Sequence, residues 1–91
     1  MSHGNAHQQG LPSTLVEIVA ANIRAECALR GISQTELAAG IDLGRTAVVL
    51  RWWGKKRQWQ LEDIERVAQF LGMDAAELCL PRERPKYTYA A

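Results

Sequence analysis

Start and stop signals for helices recur along this chain at intervals too short for any long element. Thr14 with Glu17, Ser33 with Glu36 and Asp74 with Glu77 each hold the three-residue spacing of a capping box. In that motif a side-chain oxygen and a glutamate satisfy two backbone N–H groups that a new helix leaves unpaired. Glycines at positions 31, 54 and 72 mark helix ends, where a left-handed residue ends a helix at least steric cost. Between these marks the apolar residues follow helical periodicity. Leu15, Val19, Ile23 and Cys27 recur at four-residue steps, with Asn22, Arg24, Glu26 and Arg30 on other faces. A second helix starts at Ser33 and carries Leu37, Ala38 and Ile41 inward, until Asp42-Leu43-Gly44 interrupts it. The third is expected from Arg45 to Trp53, ahead of Gly54. Leu61 to Leu71 forms a fourth, with Leu61, Ile64, Val67, Ala68 and Leu71 on its apolar face. A short fifth runs from Asp74 to Leu80, and Pro81 stops it. No alternating strand pattern competes. The expectation is an all-α domain, a compact five-helix bundle over residues 12–80.

The flanks read differently. Residues 1–11 are rich in Gly, Asn, Gln and His without periodicity and are expected to form a flexible N-terminal tail. Residues 81–91 make a charged, proline-broken C-terminal tail whose Tyr87-Thr88-Tyr89 offers a strand edge to a partner. No apolar run approaches the roughly 18 residues of a membrane span, and the first ten residues lack the basic start and apolar stretch of a secretory signal. A cytosolic location is expected. Cys27 and Cys79 are too few for a disulfide framework and read as reduced core thiols.

Side-chain inventory argues against an enzyme. The two histidines, His3 and His7, both lie in the N-terminal tail, without the acids or cysteines of a catalytic or metal-binding set. GIDLG lacks the lysine and spacing of a phosphate loop. No catalytic residue, metal site or cofactor is expected. The net charge is only +1, which by itself speaks mildly against nucleic acid as a partner. That total hides an uneven distribution. Residues 43–61 hold Arg45, Arg51, Lys55, Lys56 and Arg57 and no acid, while residues 62–77 hold five acids and one arginine.

Two short helices joined by a glycine-containing turn, within a frame of three others, make a helix-turn-helix arrangement. The run ISQTELAAGIDLGRTAVVLRWWGKKRQW followed by LEDIERVAQFLGMDAAEL resembles the Cro/repressor-type (XRE-like) helix-turn-helix family of phages and bacteria. The likeness extends from about Ile23 to Leu80 and rests on ordered elements. These are Gly31 to Ala38, the hydrophobe Leu43, Gly54, Ala68 to Gly72, and the Glu77-Leu78 pair. Each element is weak alone; their order and spacing are specific. The resemblance implies a lambda-repressor-like fold and a sequence-specific double-stranded DNA-binding transcriptional regulator, most readily a phage Cro-like protein or repressor. It also implies a homodimer on a palindromic operator, with helix three in the major groove.

Carried over by position, Arg45, Thr46, Val49 and Leu50 would contact bases. Arg45 can make two bonds to guanine O6 and N7, and Val49 and Leu50 offer apolar surface to thymine methyls. Ser33, Gln34, Gly44, Trp53, Lys55, Lys56 and Arg57 would meet the sugar-phosphate backbone. For Ser33 a plain N-cap role competes, and for the basic loop a merely solvated one. Departures from the family pattern are also visible. An arginine common in the first helix is Cys27 here, and its glutamate partner is Trp52, so both halves of an ion pair are replaced together. An apolar contact between them is the natural substitute. Arg51 stands where an aliphatic core residue is usual. Either its stem lies along the core with its head in water, or helix three is rotated to bring it toward DNA. Trp59 replaces a common proline and leaves the path of the loop open. Trp52 is expected in the core; Trp53 and Trp59 either pack over the basic loop, touch the DNA backbone or serve a protein interface. Dimer surfaces to consider are the fifth helix with Leu78 and Leu80, the C-terminal tail, and the apolar start of the first helix. The alternative from another class is an antitoxin or protein-interaction module using the Trp cluster and the C-terminal tail.

Overall fold

A computed structural model describes residues 14–82. The two tails, with His3, His7 and Tyr87-Thr88-Tyr89, lie almost wholly outside the described residues. Five helices follow one another: α1 (Leu15–Arg30), α2 (Gln34–Gly40), α3 (Arg45–Arg51), α4 (Leu61–Leu71) and α5 (Ala75–Leu78). The described residues contain no strand.

The caps explain most of the boundaries. The Thr14 hydroxyl accepts the N–H of Glu17, at 3.2 Å. At α2 the box is complete: the Ser33 hydroxyl accepts from the Glu36 N–H at 3.0 Å, and the Glu36 carboxylate accepts from the Ser33 N–H at 2.8 Å. Gly31 and Gly72 end α1 and α4 in the left-handed conformation, with φ of 67° and 72°. The turn between α2 and α3 closes with Leu43 N–H donating to the Ala38 carbonyl at 2.9 Å, and Asp42 takes the left-handed position, φ 60°, that glycine usually fills.

Val19, Ile23 and Cys27 of α1 meet Leu37, Ala38 and Ile41, Val48 of α3, the α4 residues Ile64, Val67, Ala68 and Leu71, and Leu78 in one core. Gly40 permits a close approach between α2 and α4, because a Cβ there would overlap the Phe70 ring.

Several expectations need correction. Leu15 and Leu61, assigned to apolar faces, are exposed, Leu61 at 80%; each is the first residue of its helix. Asn22, assigned to an outer face, is buried. Its amide donates to the carbonyls of Leu78 and Leu80 at 2.8 and 2.9 Å, fastening the end of α5 to α1. That clamp sets an irregular exit, so α5 stops at Leu78 rather than Leu80. The Asp74 side chain makes no cap bond, unlike the two other predicted caps. Helix α3 ends at Arg51, not Trp53. The N–H groups of Trp52 and Gly54 bond only three residues back, to Val49 and Arg51, and this tightens the chain into turns before Gly54 reverses it at φ 73°. Gly54 also sits tight against α1, where a Cβ would lie 3.2 Å from the Val16 carbonyl oxygen.

Candidate nucleic-acid interface

The site begins with the loop that leaves α3. A helix end exposes carbonyls that need donors. Here the Leu50 carbonyl accepts the Arg57 N–H at 3.2 Å, and the Trp52 carbonyl accepts from Arg24 Nη1 of α1 at 2.8 Å. Trp59 then drops into the core, 7% exposed. These three ties fold residues 52–60 back along α3, and Lys55, Lys56 and Arg57 project from the bend into solvent.

Asp63 anchors the far end of the loop. Its Oδ2 accepts from the Gln60 N–H at 3.1 Å and from Arg51 Nε at 3.3 Å. Arg51 also donates from Nη1 to the Ala47 carbonyl at 2.9 Å. Neither alternative expected for Arg51 is realised. Its head is neither in water nor presented outward, but largely buried against a largely buried carboxylate. Cys27 lies in the core, and half-buried Trp52 packs against that core as a whole, so the two positions emptied of their usual charges are both apolar. Burial pushes the Cys27 thiol above its ordinary pKa, with Arg30 opposing and Glu26 reinforcing that shift.

Between α2, α3 and the loop lies an open groove of about 370 Å³ lined by Gln34, Val49, Leu50, Trp52, Trp53, Lys55 and Lys56. Six of the sequence-predicted contact residues thus share one depression: Gln34 from α2, Val49 and Leu50 from α3, and Trp53, Lys55 and Lys56 from the loop. Arg45 and Thr46 are exposed on the first turn of α3, preceded by Gly44 as its N-cap. Ser33 is engaged in its capping box. Arg57 is exposed but outside the groove lining.

The three tryptophans do not form one surface. Trp59 is core, Trp52 is half-buried, and Trp53 alone is largely exposed. Beside Trp53 the sequence reading missed a residue. The Arg24 guanidinium carbon lies over the Trp53 ring, 4.1 Å from its centroid, and burial lowers the Arg24 pKa from its usual value. Helical periodicity places Arg24 off the core stripe, and nothing local in sequence announces an aromatic partner so far along the chain.

Among the described residues there is no cluster of His, Cys, Asp and Glu able to hold a metal, and no helix long and apolar enough to cross a membrane.

Comparison with known proteins gives concordant results. A family model for the Cro/C1-type HTH DNA-binding domain matches residues 22–80. Among solved structures, a hypothetical transcription factor from Neisseria, NHTF, is 36% identical over 78% of this chain and 83% of that one, with a TM-score of 0.72. The restriction-modification controller protein C.AhdI from Aeromonas hydrophila is 30% identical over 70% of this chain and 94% of its own, with a TM-score of 0.62. The clp gene regulator ClgR from C. glutamicum, 22% identical over 74% and 86% of the two chains, shares the fold with a TM-score of 0.66. A search of curated proteins returned no match. With its two short central helices, the groove beside them and this agreement over most of its described length, the chain belongs to the Cro/C1-type helix-turn-helix DNA-binding family.

Proposed function

We propose that this chain is a sequence-specific regulator of transcription that occupies double-stranded operator DNA with α3 in the major groove, as a repressor or Cro-like protein does. The observation that carries this reading is the shared groove. It joins Gln34, Val49 and Leu50 to two lysines, and the exposed pair Arg45 and Thr46 stands on the first turn of the same helix that supplies Val49 and Leu50. An α-helix fits the major groove, and the residues of its first turn reach base edges. Arg45 then reads guanine and Thr46 a base or phosphate, while Val49 and Leu50 meet thymine methyls. Gln34, Gly44, Trp53, Lys55, Lys56 and Arg57 hold the backbone, with Ser33 contributing only beyond its capping role. The protein would work in the cytoplasm, without a cofactor, and as a homodimer on half-sites about one helical turn apart. Two proteins more than a quarter identical to it are described as a hypothetical transcription factor and a restriction-modification controller protein, which supports regulation as the output. Leu78, one dimer candidate, is fully buried; Leu80 and Leu15 stay exposed and are the better candidates.

Selection of bound fragments from random duplex DNA tests the proposal. A palindromic consensus is the expected result. Arg45→Ala should then weaken binding by about 1–3 kcal/mol and relax preference at one base pair. An equal loss on every sequence would reassign Arg45 to phosphate, and the absence of any enriched sequence would overturn specific recognition.

A further inference from the structure

Arg24 is part-buried on α1, and among the described residues no carboxylate forms an ion pair with it. Its partners are instead the Trp52 carbonyl, at 2.8 Å, and the face of the Trp53 ring, at 4.1 Å. A guanidinium is planar, permanently charged and weakly hydrated, so it can stack on an aromatic face while donating in its own plane. Burial disfavours its charge, and the π-face and the carbonyl are what offset that cost locally. The consequence falls on Trp53. One ring face is covered by the cation, the backbone at its base is tied to α1, and the side chain still remains 61% exposed on the wall of the groove beside Lys55 and Lys56. An exposed tryptophan with no such support would sample several rotamers.

We propose that Arg24 is a positioning residue for DNA binding, acting through Trp53: it holds the indole as a pre-ordered flat surface on which the deoxyribose of a bound duplex packs, between the phosphates held by Lys55 and Lys56. This rests on the DNA-binding function proposed above and adds a residue that touches no DNA. Fixing one large side chain in advance is worth roughly three- to tenfold in affinity. Arg24 differs in this respect from the lysines, because a phosphate contact also contributes about 0.9 to the slope of log affinity against log salt concentration, and a positioning residue contributes none.

The experiment is a double-mutant cycle with the full chain on a duplex selected by the unmodified protein, at several salt concentrations. R24A should weaken binding three- to tenfold at an unchanged salt slope, and should have no further effect once W53A is present. In the DNA-free protein, R24A should shift the indole N–H resonance that disappears in W53F. If R24A fails to fold, judged by circular dichroism, R24Q keeps a donor for the Trp52 carbonyl while removing the cation, and replaces it in the cycle. A salt slope lowered by about 0.9 would make Arg24 a direct phosphate contact and overturn the proposal. Independent, additive effects of the two changes would overturn it equally. Failure of the unmodified chain to bind any duplex at low salt would instead overturn the DNA-binding function itself, so the two failures are distinguishable.

Discussion

Burial decides the chemistry of Cys27. The thiol sits in the core and desolvation raises its pKa, so the folded protein keeps the proton at a pH where the unfolded chain, near 8.5, begins to lose it. Between those two values the unfolded state binds fewer protons, and stability must fall as pH rises. Urea midpoints measured from pH 7 to 10 should therefore decline, and Cys27→Ala, although less stable at neutral pH, should decline less. A thiol reagent should modify half-buried Cys79 quickly and Cys27 only at the rate of unfolding. Asn22 is the polar counterpart. It is buried, and both amide hydrogens are spent on carbonyls 56 and 58 residues away. Asn22→Ala should cost about 1–3 kcal/mol, since it strands buried acceptors as well as losing the bonds, and urea unfolding would measure it. Residue roles of this kind were the least legible in sequence. An asparagine one position off the apolar stripe carries no mark of a partner 56 residues on.

At the scale of elements the sequence was far more readable, because helix ends are decided by neighbours within four residues. Thr14, Ser33, Gly31 and Gly72 were recognisable as caps from spacing alone and act as caps. Sequence reasoning lost ground where tertiary contacts overrode local pattern. Arg57 takes the Leu50 carbonyl near the end of α3 and Arg24 that of the C-cap Trp52, and the Asn22 clamp ends α5 early. The Arg51–Asp63 pair is the clearest example, since it staples α3 to the start of α4 across a loop whose path periodicity could not supply. Asp63→Ala leaves a largely buried arginine unpaired and the Gln60 N–H without its acceptor. We expect a loss of about 3 kcal/mol in urea unfolding. Replacing both members with apolar residues of similar size should restore most of it, because desolvation of the two charges is then avoided as well. A single loss below about 0.5 kcal/mol, typical of surface pairs, would mean that the pair does not organise this corner.

For the whole molecule, near-neutrality hides a basic run beside an acidic one in sequence. The run of residues 43–61 has five basic residues and no acid, but the structure withdraws one from the account: Arg51 is neutralised by Asp63. Arg45, Lys55, Lys56 and Arg57 remain exposed, about the groove and on the first turn of α3. This arrangement was half visible in sequence. The resemblance supplied the positions of the contact residues; the groove that gathers six of them, and the burial of Trp59 beneath the loop, required the fold. The central claim is that this basic face binds duplex DNA through its phosphates. Affinity for a selected duplex, measured from low to moderate salt, tests it most directly. Phosphate contacts by Lys55, Lys56 and Arg57 predict a slope in log affinity against log salt concentration of about −2.7 per protomer, and about −5.4 for a homodimer on its operator. Replacing Lys55, Lys56 and Arg57 together by alanine should remove most of that slope. No binding at low salt, or a slope unchanged by the triple replacement, would contradict the account.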